Sequence, residues 1–259
     1  MARKKTVKSV IKTFRILDLL VQNDSPMSFS SISNIVNINI STVHRLLNTM
    51  VKIGYVKQND ANLYCLGINS YQMADIVYHK FDLKKIVHPY LQDIVSICNE
   101  TCSLAVYNNG FVTYLDQVES SHTLRTITSN RTHAYCTSSG KILLAFMNNK
   151  KELDRYFSTT NFLEFSENTI IDPAILKKEL ETIKKQGYAV KLEENGKEIQ
   201  GVAAPVFAKR KKLLGSIGIS GPRSRLHLNY IEKELLPLIL NKTQEISSYL
   251  AKQKLKTII

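Results

Sequence analysis

Ile40-Ser41-Thr42-Val43-His44-Arg45-Leu46-Leu47-Asn48-Thr49-Met50-Val51-Lys52-Ile53-Gly54 is the stretch whose pattern decides the fold. Val43, Leu46, Leu47, Met50 and Val51 fall at i, i+3, i+4, i+7 and i+8, one apolar stripe of a helix running from about Ile40 to Ile53. Gly54 follows as a C-terminal stop. The opposite face carries Ser41, Thr42, His44, Arg45, Asn48, Thr49 and Lys52. Short hydroxyls, an amide and a guanidinium are the groups that reach phosphates and base edges in a DNA major groove. They crowd towards the helix N-terminus, the end that enters the groove in helix-turn-helix docking. A merely solvated face ordinarily alternates Glu with Lys, yet no acidic residue occurs between Ser25 and Asn59.

Upstream, Val10, Phe14, Leu17 and Val21 recur at helical spacing, with Ile11, Ile16 and Leu20 broadening the face, and Asn23-Asp24-Ser25-Pro26 ends that helix. A second short helix is predicted from Ser28 or Phe29 to Val36, burying Ile32, Ile35 and Val36. Asn37-Ile38-Asn39 makes the turn into the third. Downstream, Tyr55–Gln58 and Leu63–Leu66 read as two strands around Asn59-Asp60-Ala61-Asn62. Three helices followed by a hairpin make a winged helix-turn-helix, and Lys57 is placed for a wing contact to phosphate.

At 259 residues the chain accommodates a small and a medium domain, and 44% hydrophobic with 22% charged residues is a globular composition. The net charge is +13, and residues 1–60 hold nine basic against three acidic residues, about three times the excess density of the remainder. That excess points to a polyanion. The longest apolar runs, such as Leu143–Met147, fall far short of the roughly 20 residues that cross a bilayer. Lys8, Lys12 and Arg15 interrupt any N-terminal secretory stretch, so a cytoplasmic location without membrane contact is expected. Cys65, Cys98, Cys102 and Cys136 form neither CxxC pairs nor a disulfide framework; reduced, buried thiols are preferred over a redox pair at Cys98 and Cys102. No metal or cofactor is called for.

From Gly67 to Phe81 the sequence predicts a stiff linker helix with no Pro, and Asp82 as cap of a helix whose face is Ile86, Tyr90, Ile94 and Ile97. Strands are expected at Cys102–Tyr107, Phe111–Val118, Thr123–Thr128, Tyr188–Leu192, Ile199–Ala208 and Leu213–Ser220. Helices are expected at Ser138–Met147, Lys150–Phe157, Pro173–Gln186 and Asn229–Ala251. The order describes an α+β chain: residues 1–66 a winged helix-turn-helix, 67–81 a linker helix, and 82–259 an antiparallel sheet flanked by helices, as in GAF or PAS sensor folds. A ligand pocket is expected where strand ends meet the start of the Ser138 helix, whose free amides suit an anion.

The chain resembles the IclR family of bacterial regulators from about Val7 to Leu250. The likeness is carried by Ser41-Thr42-Val43-His44-Arg45-Leu46-Leu47, Gly54-Tyr55-Val56, Tyr64-Cys65-Leu66-Gly67, Tyr114-Leu115-Asp116-Gln117-Val118-Glu119-Ser120, Thr137 with Gly140-Lys141-Ile142-Leu143-Leu144-Ala145, Gly187-Tyr188-Ala189-Val190, Val202-Ala203-Ala204-Pro205-Val206 and Ser220-Gly221-Pro222. It implies a homodimer or homotetramer on a pseudo-palindromic operator, responding to a small carbon-source metabolite. Ile40 departs from the Lys or Arg usual before the Ser-Thr pair. DNA contacts are assigned to Ser41, Thr42, His44, Arg45, Asn48 and Lys57, with Arg45 foremost. By resemblance the effector contacts map to Ser138, Ser139, Lys191, Gly201, Gly218 and Ser220. Lys191 stands where the family more often has an acid, which implies an anionic effector such as a sugar acid or keto acid; the alternative is that Lys191 points to solvent.

Enzyme readings fare worse. Ser139-Gly140-Lys141 lacks a phosphate loop's first Gly, since Tyr135 stands there, and Ile142 replaces the magnesium-holding Ser or Thr. Cys136 near His133 has no orienting acid, and Asp116 with Glu119 reads as solvated or ion-paired. An enzyme with an accessory helix-turn-helix and an RNA-binding module are the alternatives, but the latter calls for exposed aromatics on a sheet. The sequence therefore describes a non-enzymatic, sequence-specific transcriptional regulator under small-molecule control. Repressor and activator stay open, with repressor the reading adopted.

Overall fold

The computed structural model describes residues 6–80, 82–126 and 132–252. The chain divides between Lys80 and Phe81 into two compact units. The first holds α1 (Lys8–Gln22), α2 (Phe29–Val36), α3 (Ile40–Lys52), β1 (Val56–Gln58), β2 (Tyr64–Leu66) and α4 (Ile68–Lys80). Local chemistry sets each boundary. The Ser28 hydroxyl accepts the Ser31 amide at 3.1 Å to open α2, and left-handed Asn37 closes it. Asn39 caps α3 by accepting the Ser41 amide at 3.0 Å and the Ser41 hydroxyl at 2.7 Å. Gly54, at φ +75°, turns the chain out of α3 into the wing. The hairpin β1–β2 is antiparallel with Val56 opposite Leu66, and Met27 bridges to Tyr64 as a third rung.

Ile16, Leu20, Ile32, Val43, Leu47, Met50, Val56 and Tyr64 form this unit's core. Two expectations about its buried faces are corrected. In α1 the core-facing residues are Ile16 and Leu20, whereas Val10, Ile11, Phe14 and Val21 stay exposed. In α2 Ile35 is exposed, and Ser33 takes the inward place, donating its hydroxyl to the Ile38 carbonyl at 2.6 Å. α1 carries apolar residues all round, so periodicity alone does not select the stripe that meets α3; in α2 the apolar residues share one face, and Ile35 at its edge is left outside the contact.

The second unit begins with α5 (Asp82–Cys98) and continues through β3 (Thr101–Asn108), β4 (Phe111–Val118), β5 (Thr132–His133), a 3₁₀ turn (Ala134–Cys136), α6 (Ser138–Ala145), α7 (Lys150–Thr159), α8 (Pro173–Gln186), β6 (Ala189–Leu192), β7 (Ile199–Ala208) and β8 (Lys212–Pro222). A short α9 (Leu228–Tyr230), a π-helical turn (Ile231–Leu235) and α10 (Leu236–Lys252) end the described chain. The π turn precedes Pro237, which has no amide to donate to the preceding turn, and the wider turn takes up the mismatch. The sheet is antiparallel throughout, in the order β5-β4-β3-β8-β7-β6. One face packs Cys102, Leu104, Val202, Ala204, Ile217 and Ile219 on α5 and α10. The other packs Ala105, Val112, Ala189 and Ala203 on α6, α7 and α8.

The α+β architecture is the one expected, with three local corrections. Residues 123–126 form bends and coil instead of the start of a strand, while 127 and 128 lie outside the described residues. The edge strand beside β4 is instead the short β5. In α5 the inward stripe is Leu83, Val87, Leu91 and Ile94, with Ile97 exposed. Phe81 lies outside the described residues, as does the side chain of Asp82 on which the expected cap depends. All four cysteines are free, but Cys65 and Cys98 are only half-buried.

Candidate DNA-reading face and ligand cavity

The buried stripe of α3 fixes what its other side presents. With Val43, Leu47 and Met50 inward, Ser41, His44, Arg45 and Asn48 are exposed and Thr42 half-exposed. Asn48 Nδ2 lies 3.4 Å from His44 Nδ1, and the His44 ring sits edge-on to Phe29, 6.0 Å between centroids. These contacts hold the imidazole upright on the helix surface. Lys57 is exposed on β1, and Ile40, at the family's usual cation position, is also exposed. The start of α4 is stapled to the end of α3: Asn69 Nδ2 donates to the Ile53 carbonyl at 2.8 Å and the Ser70 hydroxyl to the Tyr55 carbonyl at 2.8 Å. Gly67 allows that approach, because a Cβ there would stand 2.3 Å from the Gly54 carbonyl oxygen.

In the second unit a cavity of about 240 Å³ opens at the start of α6. Ser138, Ser139, Lys191, Gly218 and Ser220 line it. Gly201 stands just behind, opposite Lys191 on β6 and Ser220 on β8, and a Cβ there would lie 3.4 Å from the Ser138 hydroxyl. Gly218 leaves room for the Ser139 hydroxyl, which a Cβ would meet at 2.4 Å. Thr137 caps α6 by accepting the Gly140 amide at 3.0 Å, while the first-turn amides of Ser138 and Ser139 have no partner within the helix.

Lys191 is buried and faces this cavity, not solvent. Its ammonium donates to Asn195 Oδ1. Burial depresses its pKa to about 8, against the Coulombic pull of Glu194, which raises it. Sequence reasoning missed its surroundings. Lys141, wholly buried, donates to Glu179 Oε1 and Glu194 Oε1, each at 2.6 Å. Burial raises the Glu194 pKa while Lys141 lowers it. Ser103, Tyr114, Thr126, Thr132 and Asn195 add further polar groups to the cavity wall. The sequence signal for the buried ion cluster is a lysine set directly before the apolar run Ile142–Ala145, at the start of α6.

The residues weighed for catalysis are occupied otherwise. Burial pushes the Cys136 thiol up to about 12, and its Sγ donates to the His133 carbonyl at 3.5 Å, so it stays a neutral thiol. Asp116 is buried against His88 Nδ1 at 2.7 Å and Lys84 at 3.4 Å, and Glu119 pairs with Arg125 at 2.7 Å.

A winged helix-turn-helix joined to an antiparallel-sheet domain with a polar internal cavity defines a ligand-responsive DNA-binding regulator. Residues 76–248 match the family described as bacterial transcriptional regulator IclR C-terminal, and residues 9–60 match the IclR helix-turn-helix domain. The chain therefore belongs to the IclR family of bacterial transcriptional regulators, a non-enzymatic family. It is 30% identical to the Thermotoga maritima IclR of known crystal structure, over 94% of this chain and 99% of that one, with a TM-score of 0.69. It is 24% identical to the transcriptional repressor IclR of Escherichia coli K12, over 85% of this chain and 82% of the relative. An IclR homolog from Microbacterium hydrocarbonoxydans, solved with 4-hydroxybenzoate, shares the fold at 18% identity and a TM-score of 0.79, covering 95% of this chain and all of that one.

Proposed function

We propose that this protein is a cytoplasmic repressor that reads its operator with Ser41, Thr42, His44, Arg45 and Asn48 of α3 and Lys57 of the wing, and that a small hydroxylated acid bound near Ser138, Ser139, Lys191, Gly201, Gly218 and Ser220 controls it. Residues 1–66 are the reader, 67–81 the linker and 82–259 the effector domain. The observation that carries the reading is Lys191: a buried cation whose one side-chain hydrogen bond among the described residues goes to an amide oxygen, in a cavity rimmed largely by hydroxyls. Glu194, the nearby carboxylate, is bonded to Lys141, so an acid in the cavity would add a counter-charge in direct contact with the Lys191 ammonium. At about 240 Å³ the cavity suits a small metabolite, and its hydroxyl-rich wall favours a sugar acid or keto acid over an apolar ring.

The protein works as a homodimer or homotetramer in this reading. Val10, Ile11, Phe14 and Val21 leave α1 with an exposed apolar face, which supports pairing of two readers for two half-sites. An effector that binds one arrangement of the subunits more tightly shifts the population and with it the spacing of the reader helices.

The test is binding of the purified protein to DNA fragments from upstream of its own and neighbouring genes, at physiological salt with excess competitor. A discrete complex on one fragment, released by a hydroxy or keto acid, supports the reading. Uniform, salt-sensitive binding to every fragment sinks it.

A further inference from the structure

The larger cavity of the second unit is not the one beside Lys191. A cleft of about 610 Å³ lies between α7 and the β3–β4 turn, within the size range of small-molecule sites. Its walls combine three features. Tyr107, Phe111 and His133 give it an aromatic side, with the Phe111 and His133 rings 4.7 Å apart. Lys151 and Arg155, one helical turn apart on α7, stand at its edge, and among the described residues neither forms an ion pair. Tyr156 lines the cleft from below, 3% exposed, and its buried hydroxyl has no hydrogen-bond partner among the described residues. Thr160 lies close enough to influence that hydroxyl, but outside bonding geometry.

The last two features are unfavourable in the empty protein. A buried hydroxyl without a partner forfeits its hydration for nothing. Lys151 and Arg155 repel one another at i, i+4. Lys150 and Lys151 share the first turn of α7 with Glu152, the one acid there that the helix dipole favours. One occupant suits the cations and the aromatic wall together: an anionic group between Lys151 and Arg155 and a flat ring on Tyr107, Phe111 and His133, above the Tyr156 hydroxyl, which is closed off from the cleft. Glu152, also in the wall, is held by Asn149, whose Nδ2 donates to Glu152 Oε2 at 3.4 Å, so one acidic group suits the cleft better than two.

We propose that this cleft is a second ligand site, for a small planar ring compound carrying one acidic group. It is chemically distinct from the cavity beside Lys191, whose wall is dominated by hydroxyls. The two are neighbours through β5, where His133 lines the cleft and Thr132 the inner cavity.

The experiment titrates the full chain with 4-hydroxybenzoate as a probe, by calorimetry, in four forms: unaltered, Arg155→Ala, Tyr156→Phe and Lys191→Ala. Binding is expected in the unaltered chain. It weakens at least tenfold in Arg155→Ala and persists in Tyr156→Phe and in Lys191→Ala. Without the probe, Tyr156→Phe melts at or above the temperature of the unaltered chain, because it removes a hydroxyl that has no partner. Probe binding abolished by Lys191→Ala and untouched by Arg155→Ala would place the ring acid in the inner cavity and overturn the proposal. Absence of binding at millimolar probe would overturn it too. Neither outcome touches the operator reading, which is tested on DNA.

Discussion

Arg45 and Lys191 carry opposite burdens. Arg45 stands exposed on α3, and its replacement by Ala is expected to cost ~1–3 kcal/mol of operator affinity if it reads a guanine edge. The loss falls on the operator and spares unrelated DNA; an equal loss on both, with a shallower salt dependence, would mark Arg45 as a phosphate contact only. Lys191 is buried and destabilising while empty. Its folded pKa of about 8 lies below that of an unfolded lysine, so the unfolded chain binds more protons between the two values. The charged amine thus opposes folding at neutral pH, and the opposition fades as pH climbs through 8. Lys191→Met is expected to raise the melting temperature at pH 7, with the gap narrowing by pH 9 to 10. An acid held by the ammonium is expected to bind about tenfold more weakly for each pH unit above 8, read by calorimetry. Affinity that stays level from pH 7 to pH 9 would remove Lys191 from recognition.

At the scale of elements, α6 and α1 make different demands on the sequence. The first turn of α6 lies so close to the 3₁₀ turn before it that a Cβ on Gly140 would stand 2.2 Å from the Ala134 carbonyl oxygen. Gly140→Ala therefore forces backbone apart and is expected to cost ~1–3 kcal/mol or more of stability, seen as a lower denaturation midpoint. The exposed face of α1 makes a contrasting prediction. Phe14→Asp leaves the core of Ile16 and Leu20 untouched, so the helical signal stays while sedimentation shifts to a smaller species and operator affinity falls. An unchanged oligomer would show that α1 is not the pairing face. Elements with self-contained signals were legible in advance. The span of α8 from Pro173 to Gln186 is written in its Asp172 cap, its N-terminal Pro and left-handed Gly187, and the reader helix is written in its stripe and Asn39 cap. Which residues of α1, α2 or α5 turn inward was not legible, since α1 is apolar all round, the apolar faces of α2 and α5 are wider than the contact they make, and the packing partner makes the choice.

For the whole molecule, effector control requires a coupling of ~1–3 kcal/mol between cavity and operator, a 5–150-fold change in operator affinity. An effector that binds equally well with and without operator would mean that no coupling exists, however tight its binding. The sequence alone determined that a winged helix-turn-helix opens the chain and that a sheet domain follows, because helix periodicity, hairpin alternation and capping act within a few residues and need no distant partner. Only the tertiary structure decided the rest. It set Lys141 between Glu179 and Glu194, turned Lys191 inward, kept residues 123–126 out of the sheet, and buried the Tyr156 hydroxyl with no hydrogen-bond partner among the described residues. Each depends on groups tens of residues apart, whose charge and hydration change only when the fold removes water from between them.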